Sequence, residues 1–189
     1  MTTATIKTLA YALASYYPNA KDTEKVIMNA AAVAAGANAL GSAIPGLAIP
    51  ATIISCFGTV WVMYGTLCEK LGIELKENIL KLLARAVLAN LAANLGGTIA
   101  AMLAGMLVPG ASMLMSAVIT FLTVYLAGFI FLQLVLNLAQ RSRDPHSFSD
   151  ISASEMKREV KNVKVSAEDL AAAKQAFEAS RSAGAKQAG

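Results

Sequence analysis

Residues 86–140 contain no Asp, Glu, Lys or Arg. An uncharged run of this length belongs in a protein core or in lipid, because exposed segments keep charge at their surface. It is broken once, at Val108-Pro109-Gly110-Ala111-Ser112, where Pro and Gly stop helices. A second uncharged run, 26–68, breaks at Ile44-Pro45-Gly46-Leu47-Ala48-Ile49-Pro50. The four arms, 26–44, 51–68, 86–107 and 113–139, lie near the roughly 17–25 apolar residues of a membrane helix. The pattern predicts an all-α chain: two apolar helical hairpins, four membrane-length helices in all, with tips at Pro45-Gly46 and Pro109-Gly110. A short amphipathic segment precedes them (1–25), the membrane-inserting hairpins occupy 26–140, and a polar helical tail follows (141–189).

Composition favours lipid as the solvent. Hydrophobic residues make up 56% of the chain and charged residues 15%, with mean hydropathy +0.55, against roughly 25% charged in ordinary globular chains. The competing reading is a soluble bundle that buries both hairpins in itself. The net charge of +4 is small and scattered, which suits an anionic membrane surface better than nucleic acid. Both tips are uncharged and every Lys and Arg lies towards the open ends. Two hairpins charged on one side put both ends of the chain there, the cytoplasmic face of a bacterial inner membrane by the positive-inside rule. Residues 1–25 have no compact apolar core with a cleavage site, so export would use a route without a cleaved signal.

Residues 5–17 place Ile6, Leu9, Ala10, Leu13 and Tyr17 at helical spacing, a helix that either lies on a membrane or covers the core. Pro18-Asn19 ends it, and Asp22 can cap the next. Glu69, Lys70, Glu74, Lys76, Glu77, Lys81 and Arg85 form an amphipathic connector, with Gly72 at its turn. In the tail, Ser152 with Glu155 and Ser166 with Asp169 have capping-box spacing. They open helices over about 153–163 and 167–182, the latter with Leu170, Lys174 and Phe177 on a thin apolar stripe, before a frayed end from residue 183. The tail docks on the hairpins, recruits a partner, or does neither.

Catalysis finds no machinery. His146 is the only histidine and sits in a linker; the apolar runs hold no acid or His for a Ser–His–Asp set; no Gly-Lys phosphate loop occurs. No enzyme, cofactor or metal site is expected. Cys56 and Cys68 fall about 18 Å apart along one helix, too far for a disulfide.

Two patterns bear on assembly. Ala89, Ala93, Gly97, Ala101 and Gly105 recur every fourth residue, a glycine zipper on one helix face, with a weaker parallel at Ala31, Ala35, Ala39 and Ala43 beside Gly36 and Gly41. Small residues let helix backbones approach closely, within one monomer or between copies of a homo-oligomer. Weakly polar stripes run along the other helices: Thr52, Ser55, Thr59 and Thr66, and Ser112, Ser116, Thr120 and Thr123. Asn29, Asn38 and Ser42, Asn90 and Asn94, and Gln133 and Asn137 add to them. They either hydrogen-bond inside a dry bundle or line an aqueous path.

The order Ile44-Pro45-Gly46, Val62-Met63-Tyr64-Gly65, Val108-Pro109-Gly110 and a final apolar helix containing Gly128 resembles a bacterial helical membrane domain of unknown function that often accompanies Era-like GTPases. The acidic residue that often follows the first tip in that family is absent here, as is the GTPase. Gly97, Ala101 and Gly105, with Gly36 and Gly41, give the chain properties similar to glycine-zipper pore-forming effectors of type VI secretion. That resemblance implies an immunity protein and a secretion-tube or chaperone protein as partners. The expectation is a pore-forming protein that permeabilises a bacterial membrane, an antibacterial toxin that is soluble in storage and inserted when active. The alternatives are a non-conducting anchor that recruits a partner, such as a GTPase, through its tail, and a soluble bundle with a packing role.

Overall fold

The most apolar helix is the axis of the molecule. The computed structural model describes residues 5–41, 48–105, 112–141, 148 and 152–187. Among these it has seven α-helices and no strand: α1 (Ile6–Leu13), α2 (Thr23–Gly41), α3 (Ala48–Leu71), α4 (Glu77–Gly105), α5 (Ser112–Arg141), α6 (Ala153–Asn162) and α7 (Ala167–Gln187). Helix α5 touches all six others, and its broadest contact is with α2 rather than with α4, its neighbour in sequence. Phe121, Val124, Leu126, Ile130, Phe131 and Leu132 of α5 are fully buried, each worth about 1.5–3 kcal/mol when removed from water.

The expected four membrane-length helices are corrected to one. Among the described residues only Met113–Arg141 is long and apolar enough to cross a membrane, its most apolar 18-residue stretch having mean hydropathy 2.2. Charge enters the helices that were expected to be uncharged. Helix α2 begins at Thr23, so Glu24 and Lys25 fall in its first turn, and Asn29, Asn38 and Gly36 dilute the rest. Helix α3 runs on through Glu69 and Lys70. Helix α4 begins at Glu77 and absorbs Lys81 and Arg85, residues expected in a separate connector. Their charges are accommodated locally: Lys81 pairs with Glu77 at 2.7 Å and lies 4.6 Å above the Trp61 ring, while Arg85 lies over Phe57. The most apolar 18-residue stretch of that span is 83% buried in the protein, the placing of a core helix.

Local signals set the other boundaries. Thr5 caps α1 by accepting from the Thr8 N–H, and Ile6, Leu9, Leu13 and Tyr17 are buried, so α1 covers the core along α5. Gly72 has φ 65°, and α3 ends there in a Schellman arrangement: Ile73 N–H donates to the Cys68 carbonyl and Gly72 N–H to that of Glu69. Ser152 and Glu155 form a reciprocal capping box at α6. At α7, Ser166 accepts from the Asp169 N–H while the Asp169 carboxylate accepts from the Ser166 N–H.

The tail docks. Met156, Val160, Ala173 and Phe177 belong to the same apolar core as α1–α5, and Phe177 meets Phe121 edge-on with centroids 5.3 Å apart. Helix α7 extends to Gln187, beyond the expected end near residue 182, as its alanine-rich sequence permits.

Candidate functional site

Three contacts tie the middle of α5 to α2 and α3. Gly128 lets α2 approach: a Cβ there would stand 2.7 Å from both γ carbons of buried Ile27. Tyr64 of α3 is fully buried, stacks on Phe131 at 4.7 Å and donates its hydroxyl to the Ala127 carbonyl at 2.9 Å. Burial pushes that phenol well above its ordinary pKa. The Asn38 amide of α2 donates to Thr120 Oγ1 at 2.8 Å, and Thr120 also hydrogen-bonds Cys56 of α3. Among the described residues no buried side-chain N or O lacks a partner.

The polar stripe therefore points inward where it can be followed. Ser116 and Thr120 are buried; Ser55, Thr59 and Thr123 are half-buried. In this state Thr120 is a cross-link between three helices, not the wall of an open path. The side chains of Thr52 and Ser112 lie outside the described residues.

The ladder points outward. Ala89, Ala93 and Gly97 are exposed, and a Cβ at Gly97 would meet nothing within 4 Å. Among the described residues no close helix contact uses Gly97. Gly36 likewise faces open space. The side chains of Ala101 and at Gly105 and Gly41, and the tips Pro45, Gly46, Pro109 and Gly110, lie outside the described residues.

Two of the clefts on the surface are lined by described residues. One, of about 400 Å³, runs between α2, α5 and α7, with Ala32, Ala35, Gly36 and Ala39 facing Met113, Leu114, Ala117 and Phe121, closed by Phe177, Ser180 and Arg181. Met113 and Leu114 are exposed by 43% and 49%, large apolar side chains at the start of α5. The other, of about 780 Å³, lies between α4 and α6. Its floor is Ala86, Ala89, Asn90 and Ala93, and its rim is Ser154, Lys157, Arg158 and Lys161.

Asn90 fixes the second cleft. Its amide nitrogen donates to the carbonyls of Val160 and Val163 at the end of α6, supplying partners that helix ends lack. On the far side of α6, buried Glu159 pairs with Arg141 at 2.9 Å. Sequence reasoning missed this cleft. The signal was the spacing of Lys157, Arg158 and Lys161, three and four residues apart and so on one helix face, but nothing local says that face looks onto α4. Gly128 was legible only as a glycine in an apolar helix, since its partner Ile27 is remote in sequence.

Among the described residues no group of three or more His, Cys, Asp or Glu side chains could hold a metal ion. Cys56 and Cys68 are free and buried. Compared with family models, curated proteins and solved structures, the chain has no match in any of the three.

Proposed function

We propose that this chain is a membrane-inserting, pore-forming protein that keeps its spanning helix sheathed in a helical bundle until it meets a bilayer. The observation that carries this reading is α5: a helix of membrane length whose most apolar 18-residue stretch has mean hydropathy 2.2 and is 83% buried. What keeps it there is mostly the hydrophobic effect. The polar ties, Asn38–Thr120 and Tyr64–Ala127, contribute about 0.5–1.5 kcal/mol each, against several fully buried large side chains at about 1.5–3 kcal/mol each. Lipid offers α5 the same relief from water as the sheath does. Unsheathing is therefore costly in water and cheap at a bilayer. Exposed Met113 and Leu114 give the helix its first apolar contact, and Arg141 at its other end can reach the interface. Helix α4 accompanies α5, and the outward face at Gly97, beyond the residues that α6 overhangs, offers a seam for further copies once the sheath has opened. Such a pore is the behaviour expected of the effector resemblance.

The core helix of a bundle that never inserts would pass the same length test, so the experiment must make α5 leave. The Ile27–Gly128 approach puts their Cβ positions about 3 Å apart, a few tenths of an ångström inside disulfide distance, which a small outward shift of α2 supplies. In a Cys56→Ala, Cys68→Ala background, Ile27→Cys with Gly128→Cys should lock α2 onto α5 when oxidised. The reduced protein should release dye from anionic vesicles and resist alkaline carbonate extraction; the oxidised protein should do neither. Equal leakage in both forms would show that permeabilisation does not require α5 to leave α2. No leakage from wild type at any protein-to-lipid ratio would leave the anchor or the packing bundle in its place. Reduced protein with wild-type helical circular dichroism is the required control.

A further inference from the structure

We infer that the cleft between α4 and α6 binds an anionic phospholipid, with its phosphate at Lys157, Arg158 and Lys161 and an acyl chain along the α4 floor.

The charge distribution on α6 points to this ligand. The helix carries two acids and three bases over 153–162. Glu159 is buried and committed to Arg141. Glu155 accepts from the Ser152 backbone and hydroxyl in the capping box. Neither acid lines the cleft, whereas Lys157, Arg158 and Lys161 do. The three cations share one rim with no carboxylate among the lining residues, an arrangement that attracts phosphate.

The floor selects the rest of the molecule. Ala89 and Ala93 are exposed, apolar and short, and they continue towards Gly97, where a side chain would meet nothing. A free phosphate or a nucleotide has no use for such a surface; an acyl chain does. The space of about 780 Å³ suits a headgroup with part of a chain. The Asn90 bridge to Val160 and Val163 holds the rim over the floor, so the cleft is formed before a ligand arrives. A second copy of this chain is a poorer occupant, because a two-fold contact would bring the cationic rim against its own image.

This inference goes beyond insertion and does not depend on it: an anchor or a peripheral protein would use the same cleft. The test uses monomeric lipid and needs no bilayer. The full chain is titrated by calorimetry with dihexanoyl-phosphatidylglycerol below its critical micelle concentration, with dihexanoyl-phosphatidylcholine, and with glycerol phosphate. The anionic lipid should bind saturably, and each of the other two at least tenfold more weakly. Lys157→Gln with Arg158→Gln and Lys161→Gln should weaken the anionic lipid by roughly 100-fold; these side chains are exposed, so folding is not at stake. Ala89→Leu with Ala93→Leu should block the chain and leave weak glycerol phosphate binding unchanged. Equal affinity for both lipids, indifference to the triple substitution, or glycerol phosphate binding as tightly as the lipid would each overturn the proposal, the last in favour of a phosphate site. Lipid-free dimerisation abolished by the Ala89, Ala93 double substitution would overturn it in favour of an interface between copies.

Discussion

Ile27 stands where Gly128 has no side chain: both of its γ carbons lie 2.7 Å from the position of an added Cβ, and its δ carbon 2.9 Å. Three contacts under 3 Å cannot be relieved by moving one flexible end, because the branched Ile27 side chain is itself fully buried. Gly128→Ala should therefore destabilise. Overpacking costs about 1–3 kcal/mol, and the gain in helix propensity returns only about 1 kcal/mol. Ile27→Ala alone should cost about 2–5 kcal/mol. The double substitution should cost less than the sum by at least about 0.5 kcal/mol, since the new methyl enters the vacated space. Urea denaturation of the four proteins measures this; strict additivity would deny the contact.

The opposite sign is expected at Gly58 and Gly65 of α3. An added Cβ meets nothing within 4 Å at either position, so only the backbone term remains. Gly58→Ala and Gly65→Ala should each stabilise by about 0.5–1 kcal/mol. Thermal unfolding would show it, and a loss of stability at either site would mean that an unseen partner packs there.

Cys56 and Cys68 report on opening of the sheath. Burial pushes the Cys56 thiol up to about 11, against a hydrogen bond from Thr120 that lowers it, and the Cys68 thiol up to about 12. At pH 8 a thiol near 11 is ionised to roughly one part in a thousand, and the thiolate is the reactive form. Ellman's reagent should react with the native protein orders of magnitude more slowly than with the chain in urea. Anionic vesicles should accelerate the reaction if α3 leaves α5, and neutral vesicles should do so less. Fast labelling without lipid would contradict the burial of both residues.

The capping box of α6 gives a pH signature. Hydrogen bonds from the Ser152 backbone and then its hydroxyl, with a smaller contribution from Arg158, hold the Glu155 carboxyl below its ordinary value. A carboxyl depressed in the folded state stabilises above its unfolded pKa, near 4.3, and that contribution is lost as pH falls through the lower folded value. By NMR titration Glu155 should ionise below an ordinary glutamate in wild type and move upward in Ser152→Ala. That substitution should weaken α6 by about 0.5–2 kcal/mol at pH 7 and by less at pH 3.

Much of this architecture was legible because its causes are local. Helical spacing marked Ile6, Leu9, Leu13 and Tyr17 as one face, and Gly72, Ser152 and Ser166 announced helix ends by chemistry within a few residues. What was not legible depended on partners. Uncharged length suggested four spans, but Lys81 and Arg85 lie inside a helix where a carboxylate and aromatic rings nearby accept them, and counting charges along the chain cannot show that. Thr120 read equally well as lining a path or tying a bundle until Asn38 was found opposite it. The α4–α6 cleft escaped for the same reason: Ala89 and Lys157 carry no sign of each other.

The edge-on contact of Phe121 with Phe177 also has a meaning in time. During synthesis α1–α4 precede α5 and can gather around it as it emerges, but the α7 side of the sheath does not yet exist. At roughly 5–20 residues per second, the residues between Phe121 and Phe177 take about three to eleven seconds to make. For that interval one flank of the most apolar helix has no cover. A nascent chain near a bilayer thus meets its choice of solvent before its last helix has been made.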